Sequence, residues 1–158
     1  MATAYLLYGY IGSGKTTLAR SLEASLPAMR FSHDEWMVNL FGTNPPSITF
    51  HENWMKVYDL MTPLWQRLLT LGIDVIIDEG LWHRKRRDQL RSEIKALGAR
   101  YKLVHVKCSL ETAWQRTEKR NASLKDSFFI SKETFEELFK NVESLGEDEI
   151  HEVIDTNS

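Results

Sequence analysis

The chain has a single cysteine among its 158 residues, Cys108, so it has no intramolecular disulfide and no metal site built on cysteine pairs. No run of about 18 apolar residues occurs, so no membrane span is expected. The first apolar strand leads directly into a loop motif, so no cleavable leader is expected. His51, His83, His105 and His151 show no metal-ligand spacing, and the chain has no repeat, low-complexity stretch or interdomain linker. A net charge of −2 argues against broad, nonspecific nucleic-acid binding. What remains is an ordinary composition, 42% apolar and 27% charged, fitting one domain in a reducing, cytoplasmic setting. The charge is uneven, however: Leu81 to Lys125 carries 13 Lys/Arg against four Asp/Glu. Solvated helix faces account for part of that run, and contact with phosphates is the sharper reading.

The most specific feature present is Gly9-Tyr10-Ile11-Gly12-Ser13-Gly14-Lys15-Thr16, a complete phosphate-binding P-loop. It follows the apolar run Ala4–Tyr8 and opens a helical stretch starting with Thr17. Gly9, Gly12 and Gly14 let successive backbone N–H groups, with that of Ser13, turn inward around phosphate oxygens. Lys15 can reach the β- and γ-phosphates, the Thr16 hydroxyl can ligate Mg²⁺, and the helix adds its positive dipole end.

The rest of the chain alternates short apolar runs with helical periodicity. Strands are expected at 4–8, 28–31, 73–78, 101–107 and 151–155, and helices at 16–26, 33–41, 51–71, 85–97, 109–120 and 131–145. Residues 43–50, with Pro45-Pro46, read as a loop, and Pro63 is expected to kink the helix around it. Ser32-His33-Asp34-Glu35 has the spacing of a capping box. Five strands separated by helices imply a mostly parallel five-stranded sheet with helices on both faces, in the α/β class. Such sheets bind ligands beyond the carboxyl ends of their strands.

The residues just past each strand therefore describe the site. Asp34, after the second strand, either adds favourable charge to a first helical turn or accepts the proton of an attacking hydroxyl. His33 and Glu35 read as helix-surface or supporting groups. Val75-Ile76-Ile77-Asp78 resembles a Walker B strand, making Asp78 the candidate for Mg²⁺ and Glu79 the runner-up. Arg84-Lys85-Arg86-Arg87 opens a helix, where positive charge opposes the dipole, a placement that hints at anion binding by one of them. Arg116 and Arg120 share a helix face beside a polar segment, as in a lid over about 114–128 that neutralises transferring phosphate. Asp155-Thr156 either contacts the nucleotide or is a frayed end. Cys108 reads as an inert thiol. Among the aromatics, Trp36, Phe50, Trp54 and Trp82 lie near the expected site edges, as candidates to line a substrate pocket.

With these residues assembled, the chain resembles the small P-loop kinases related to polynucleotide kinase, zeta toxin and chloramphenicol phosphotransferase, described as AAA-type ATP-binding predicted kinases. The resemblance rests on Gly9–Thr16, Ser32–Trp36, Val75–Asp78, Arg84–Arg87, Arg116 to Arg120 and Val153–Thr156. It implies a three-layer P-loop NTPase sandwich that transfers the γ-phosphoryl group of ATP, with Mg²⁺, to a hydroxyl of a small molecule, nucleoside or nucleotide. In that resemblance Asp34 is the general base. Lys15, Thr16 and Thr17 hold the nucleotide with the loop glycines, and Arg116 and Arg120 are lid arginines. Glu79-Gly80-Leu81 departs from the polynucleotide-kinase continuation, which disfavours a polynucleotide acceptor. The insertion at about 39–71 is expected to wall the acceptor side. The resemblance covers a single domain over 1–158, monomeric or a small homo-oligomer. A nucleotide-dependent switch with slow ATPase activity and a polynucleotide 5′-hydroxyl kinase are the alternatives. No Asn/Thr-Lys-x-Asp motif is present, which favours ATP over GTP.

Overall fold

Alternation along the strands explains how this sequence builds two cores. Leu6 and Leu7 are both fully buried, yet they face opposite sides of the sheet. The computed structural model describes residues 1–125 and 127–157, so Asp126 of the expected lid lies outside the described residues. Its elements run β1 (Thr3–Tyr8), α1 (Lys15–Ser25), β2 (Ala28–Ser32), α2 (His33–Phe41), α3 (Ser47–Thr70), β3 (Asp74–Gly80), α4 (Arg84–Ala96), β4 (Arg100–Lys107), α5 (Leu110–Asn121), α6 (Lys132–Phe139) and β5 (Glu152–Asp155).

The sheet order is β2-β3-β1-β4-β5, and every pairing is parallel. On one face, Leu7, Ile76, Val104 and Val106 pack with Ala19 of α1. On the other, Leu6, Tyr8, Phe31, Val75, Ile77 and Leu103 pack with Met37 of α2, Val57, Met61, Trp65 and Leu69 of α3, and Leu90 and Ile94 of α4. Strands buried on both faces need no polar alternation, hence the continuous run Val75-Ile76-Ile77. β1 occupies the centre, and the chain crosses over β3 to form β2. The carboxyl ends of β1 and β3 therefore lie side by side, with Leu7 in register with Asp78.

Capping follows the sequence. Ser32, Ser109 and Ser131 each accept a backbone N–H three residues on, from Glu35, Thr112 and Thr134. Two expectations are corrected, the loop at 43–50 and the end of the last helix. The loop expected at 43–50 ends early, because α3 starts at Ser47 directly behind Pro46, an N-cap (φ −57°, ψ 131°) whose missing N–H costs no intrahelical bond. α3 continues through Pro63, which occupies an exposed position where water can reach the carbonyl the ring leaves unbonded. The helix expected to 145 stops at Phe139, because the following backbone serves other groups. Glu143 N–H donates to the Trp82 carbonyl, and the carbonyls of Glu143 and Ser144 accept from Arg87.

Candidate active site

The P-loop joins the carboxyl end of β1 to α1, and Asp78 stands on the neighbouring strand β3. Thr16 Oγ1 donates to Asp78 Oδ2 at 2.8 Å, the pairing expected of two groups that share a divalent cation. Lys15 Nζ donates to the Tyr10 carbonyl at 2.8 Å and lies in the field of Asp78, Asp34 and Arg120. Burial pulls the Lys15 ammonium below its ordinary value, and the two carboxylates oppose that shift. Burial pushes Asp78 above the usual carboxylate range, against Lys15 and the Thr16 hydrogen bond.

Asp34 is the first acidic residue of α2, and it faces this cluster from the adjoining strand end. Its side chain has protein around it yet keeps a solvent-exposed surface, as for a group on the floor of an open cleft. The enclosing protein and then Asp78 raise its carboxyl, while Lys15, His33 and Arg120 draw it down. Because the cleft is open to water, the upward push is milder than in a closed core.

Arg116 and Arg120, expected side by side on a lid, have different surroundings. Arg116 donates to the carbonyls of Gly12 and Ser13 and to both the hydroxyl and carbonyl of Thr156. Arg120 is in the field of Asp34, and its Nε is buried without a partner. α5 is anchored at its middle, because Gly12 lies directly on it. A Cβ at Gly12 would meet the Ala113 carbonyl at 2.3 Å and Thr117 Oγ1 at 2.9 Å, and the residue has φ +76°. Gly12→Ala is therefore expected to cost about 2 kcal/mol of stability and to weaken nucleotide binding. Thermal unfolding and Mg·ADP titration of the variant check both effects.

Thr156 lies beside the P-loop, with Oγ1 donating to the Ser13 carbonyl at 2.6 Å, whereas Asp155 accepts the N–H of Asn157 at 2.9 Å. Thr17 is exposed on the first turn of α1. Gly9 donates its N–H to Gly80. Glu79 is committed elsewhere: it pairs with Arg86 at 2.6 Å and lies 3.9 Å from His33 Nδ1. Burial would raise the Glu79 carboxyl, but His33 and Arg86 together hold it below its ordinary value. The metal candidates Thr16 and Asp78 thus stand together, and the runner-up Glu79 is turned to Arg86.

The three arginines of the basic run at the start of α4 are ion-paired, whereas Lys85 is exposed. Arg84 binds Asp88 and Asp148, Arg86 binds Glu79, and Arg87 binds Glu149. His33, expected as a helix-surface or supporting group, is 1% exposed, with its ring stacked on Trp54 at 3.6 Å, which leaves the supporting role. Trp82, one of four aromatics expected at the site edge, engages the phosphate loop itself: its Nε1 donates to the Gly9 carbonyl at 2.9 Å. An aromatic residue four positions past Asp78 carries no local signal of that contact.

The residues fit Mg²⁺ and a nucleotide triphosphate. Ser13 Oγ on the phosphate loop and Arg120 Nε are buried polar atoms without partners, and Thr16 and Asp78 offer hard oxygens. Among the described residues no group of three or more His, Cys, Asp or Glu could hold a metal.

Residues 5–145 match the sequence profile of a family described as an AAA domain. The chain belongs to that family. Its fold is that of the P-loop NTPases. Kti12 from Chaetomium thermophilum, determined with ADP-AlF3, superposes with a TM-score of 0.74 at 19% identity, covering 96% of this chain and 88% of that one. A sugar kinase from Janibacter sp. gives 0.67 at 19% identity, covering 98% and 86%. A gluconokinase from Sinorhizobium meliloti gives 0.62 at 17% identity, covering 97% and 82%. No protein of curated function matches the sequence. Among the described residues no helix is long and apolar enough to cross a membrane.

Proposed function

We propose that this AAA-domain protein is an ATP-dependent phosphotransferase that moves the γ-phosphoryl group to a hydroxyl of a small molecule, nucleoside or nucleotide. The observation that carries this reading is the convergence of Asp34, Lys15 and Arg120 in one cleft around the Thr16–Asp78 pair. A carboxylate facing the loop and the metal pair can activate an acceptor hydroxyl or a water, so acceptor dependence is what separates transfer from hydrolysis.

In this reading Lys15 and the loop N–H groups bind the β- and γ-phosphates. Thr16 and Asp78 would hold Mg²⁺, which neutralises phosphate charge when bound. Asp34 takes the proton of the acceptor hydroxyl as its oxygen bonds to the γ-phosphorus and the bond to the β-bridging oxygen breaks. Arg120 stabilises the charge of the transferring group. Arg116 and Thr156 brace the outer side of the loop, next to the nucleotide. The segment at about 114–128 acts as the lid, the insertion at about 39–71 walls the acceptor side, and the setting is cytoplasmic, where Cys108 stays reduced.

The test is ATP consumption with and without a panel of hydroxyl acceptors, followed as labelled phosphate on the acceptor. Acceptor-dependent consumption is expected. Slow, acceptor-independent hydrolysis with no labelled acceptor would instead favour a regulatory ATPase.

A further inference from the structure

β3 ends in a strained strap that grips the phosphate loop by its first residue. Gly80 has φ +85°, and the next residue, Leu81, has φ +55°, in a region that bulky side chains rarely enter. Leu81 is only 2% exposed, so its side chain is fixed in the core under β1 while its backbone turns back. The surroundings hold the turn: Arg87 Nη1 donates to the Leu81 carbonyl at 2.9 Å and the Trp82 carbonyl at 3.2 Å. Glu143 N–H adds a bond to the Trp82 carbonyl at 2.8 Å. Strain of this kind persists only where neighbouring structure over-determines it, and it concentrates at functional sites.

The strap engages both backbone groups of Gly9. Gly9 N–H donates to the Gly80 carbonyl at 3.2 Å, and the Gly9 carbonyl accepts the indole N–H of Trp82 at 2.9 Å. A planar trans peptide links that carbonyl to the N–H of Tyr10, so fixing one aims the other the opposite way. Tyr10 carries the restraint onward, since its carbonyl accepts Lys15 Nζ. Its ring lies against Trp82 at 5.3 Å, Phe135 at 5.0 Å and Phe139 at 5.1 Å.

We infer that Trp82 is a positioning residue for the phosphate loop: its indole N–H orients the Gly9–Tyr10 peptide, and through the Tyr10 carbonyl the ammonium of Lys15, before nucleotide arrives. This rests on the loop binding nucleotide but not on transfer to any acceptor. A loop held in its binding conformation forfeits less order on ligation, so release of the restraint weakens binding.

The experiment is titration of the full chain with Mg·ADP, compared for wild type, Trp82→Phe, and protein with benzothienylalanine at position 82, which keeps the bicyclic ring and removes only the N–H. Loss of one neutral hydrogen bond is expected to raise the Mg·ADP dissociation constant about three- to tenfold in both altered proteins. In the benzothienylalanine protein the thermal midpoint stays close to wild type. Dissociation constants unchanged from wild type, with or without a lower midpoint, would overturn the inference and leave Trp82 a packing residue. A wild-type chain that does not bind Mg·ADP would overturn both the nucleotide reading and this inference.

Discussion

Asp34→Asn is expected to lower phosphoryl transfer by about 10²- to 10⁴-fold, while Mg·ADP still binds. The asparagine keeps the shape of the side chain at the start of α2 but cannot take a proton from an acceptor hydroxyl. Binding survives because Lys15, Thr16 and Asp78, which bind the phosphates and the metal in the proposed reading, are untouched. The pH dependence gives an independent reading of the same residue. Enclosure by protein and the neighbouring Asp78 raise the Asp34 carboxyl above its ordinary value of 3.8. As pH falls through that raised value, the carboxylate takes up a proton and stops acting as a base. The acid limb of the wild-type rate profile should therefore lie above pH 3.8, and it should be absent from the residual activity of the asparagine variant. Single-turnover transfer measured across pH with a working acceptor checks both points. Wild-type turnover by Asp34→Asn would remove Asp34 from the mechanism.

How much of this site can be read in the sequence depends on how local each feature is. The P-loop is eight consecutive residues with correct strand and helix flanks, and the parallel sheet follows from strand–helix alternation. Ser32, Ser109 and Ser131 cap their helices within four residues, so the pattern reports them directly. The start of α3 escapes the pattern because Pro45-Pro46 signals a loop as readily as it signals a helix beginning just behind it. The end of α6 escapes it for a different reason. Val142 and Leu145 keep helical spacing, but the backbone around them bonds to Trp82 and Arg87, which are more than 50 residues away in sequence. Arg116 and Arg120 look equivalent at four-residue spacing, and only the position of Thr156 beside the P-loop separates them. The arginines of α4 show the same limit: their carboxylate partners Glu79, Asp148 and Glu149 come from the end of β3 and the approach to β5. Sequence records that the charges are present but not that they neutralise one another.

The largest stability effect is expected at the deepest of those pairs. Arg87 is 0% exposed and Glu149 1% exposed. The pair is bidentate, with Arg87 Nε 2.8 Å from Oε1 and Nη2 2.9 Å from Oε2. Arg91 adds a contact to Oε1 at 3.0 Å, and Gly146 N–H donates to Oε2 at 2.9 Å. Removing the carboxylate leaves a buried guanidinium without its counter-charge, so Glu149→Ala should cost about 3–5 kcal/mol. Against a total of roughly 5–15 kcal/mol for a domain, that is a large share. It corresponds to a fall in thermal midpoint of roughly 10 °C for a chain of this size. Glu149→Gln retains a hydrogen-bonding oxygen and should fall between wild type and alanine. Acid should reproduce part of the effect in the wild-type protein. Burial is the largest single influence on the Glu149 carboxyl and would raise it. The Arg87 bond, the Gly146 N–H and the charges of Arg87 and Arg91 together outweigh it and hold the carboxyl at about 2, against an ordinary 4.5. A carboxyl depressed in the folded state contributes its stability above the unfolded value and loses it as pH falls from about 4.5 toward 2, here on the order of 3 kcal/mol. Urea denaturation at a series of pH values should show that decline in wild type, and a shallower one in Glu149→Gln, which has no proton to take up. Parallel declines in the two proteins would remove Glu149 as the origin of the acid sensitivity. Arg87 also holds the Leu81 and Trp82 carbonyls, so the same substitution should loosen the strap behind the phosphate loop and weaken Mg·ADP binding at temperatures where the fold survives.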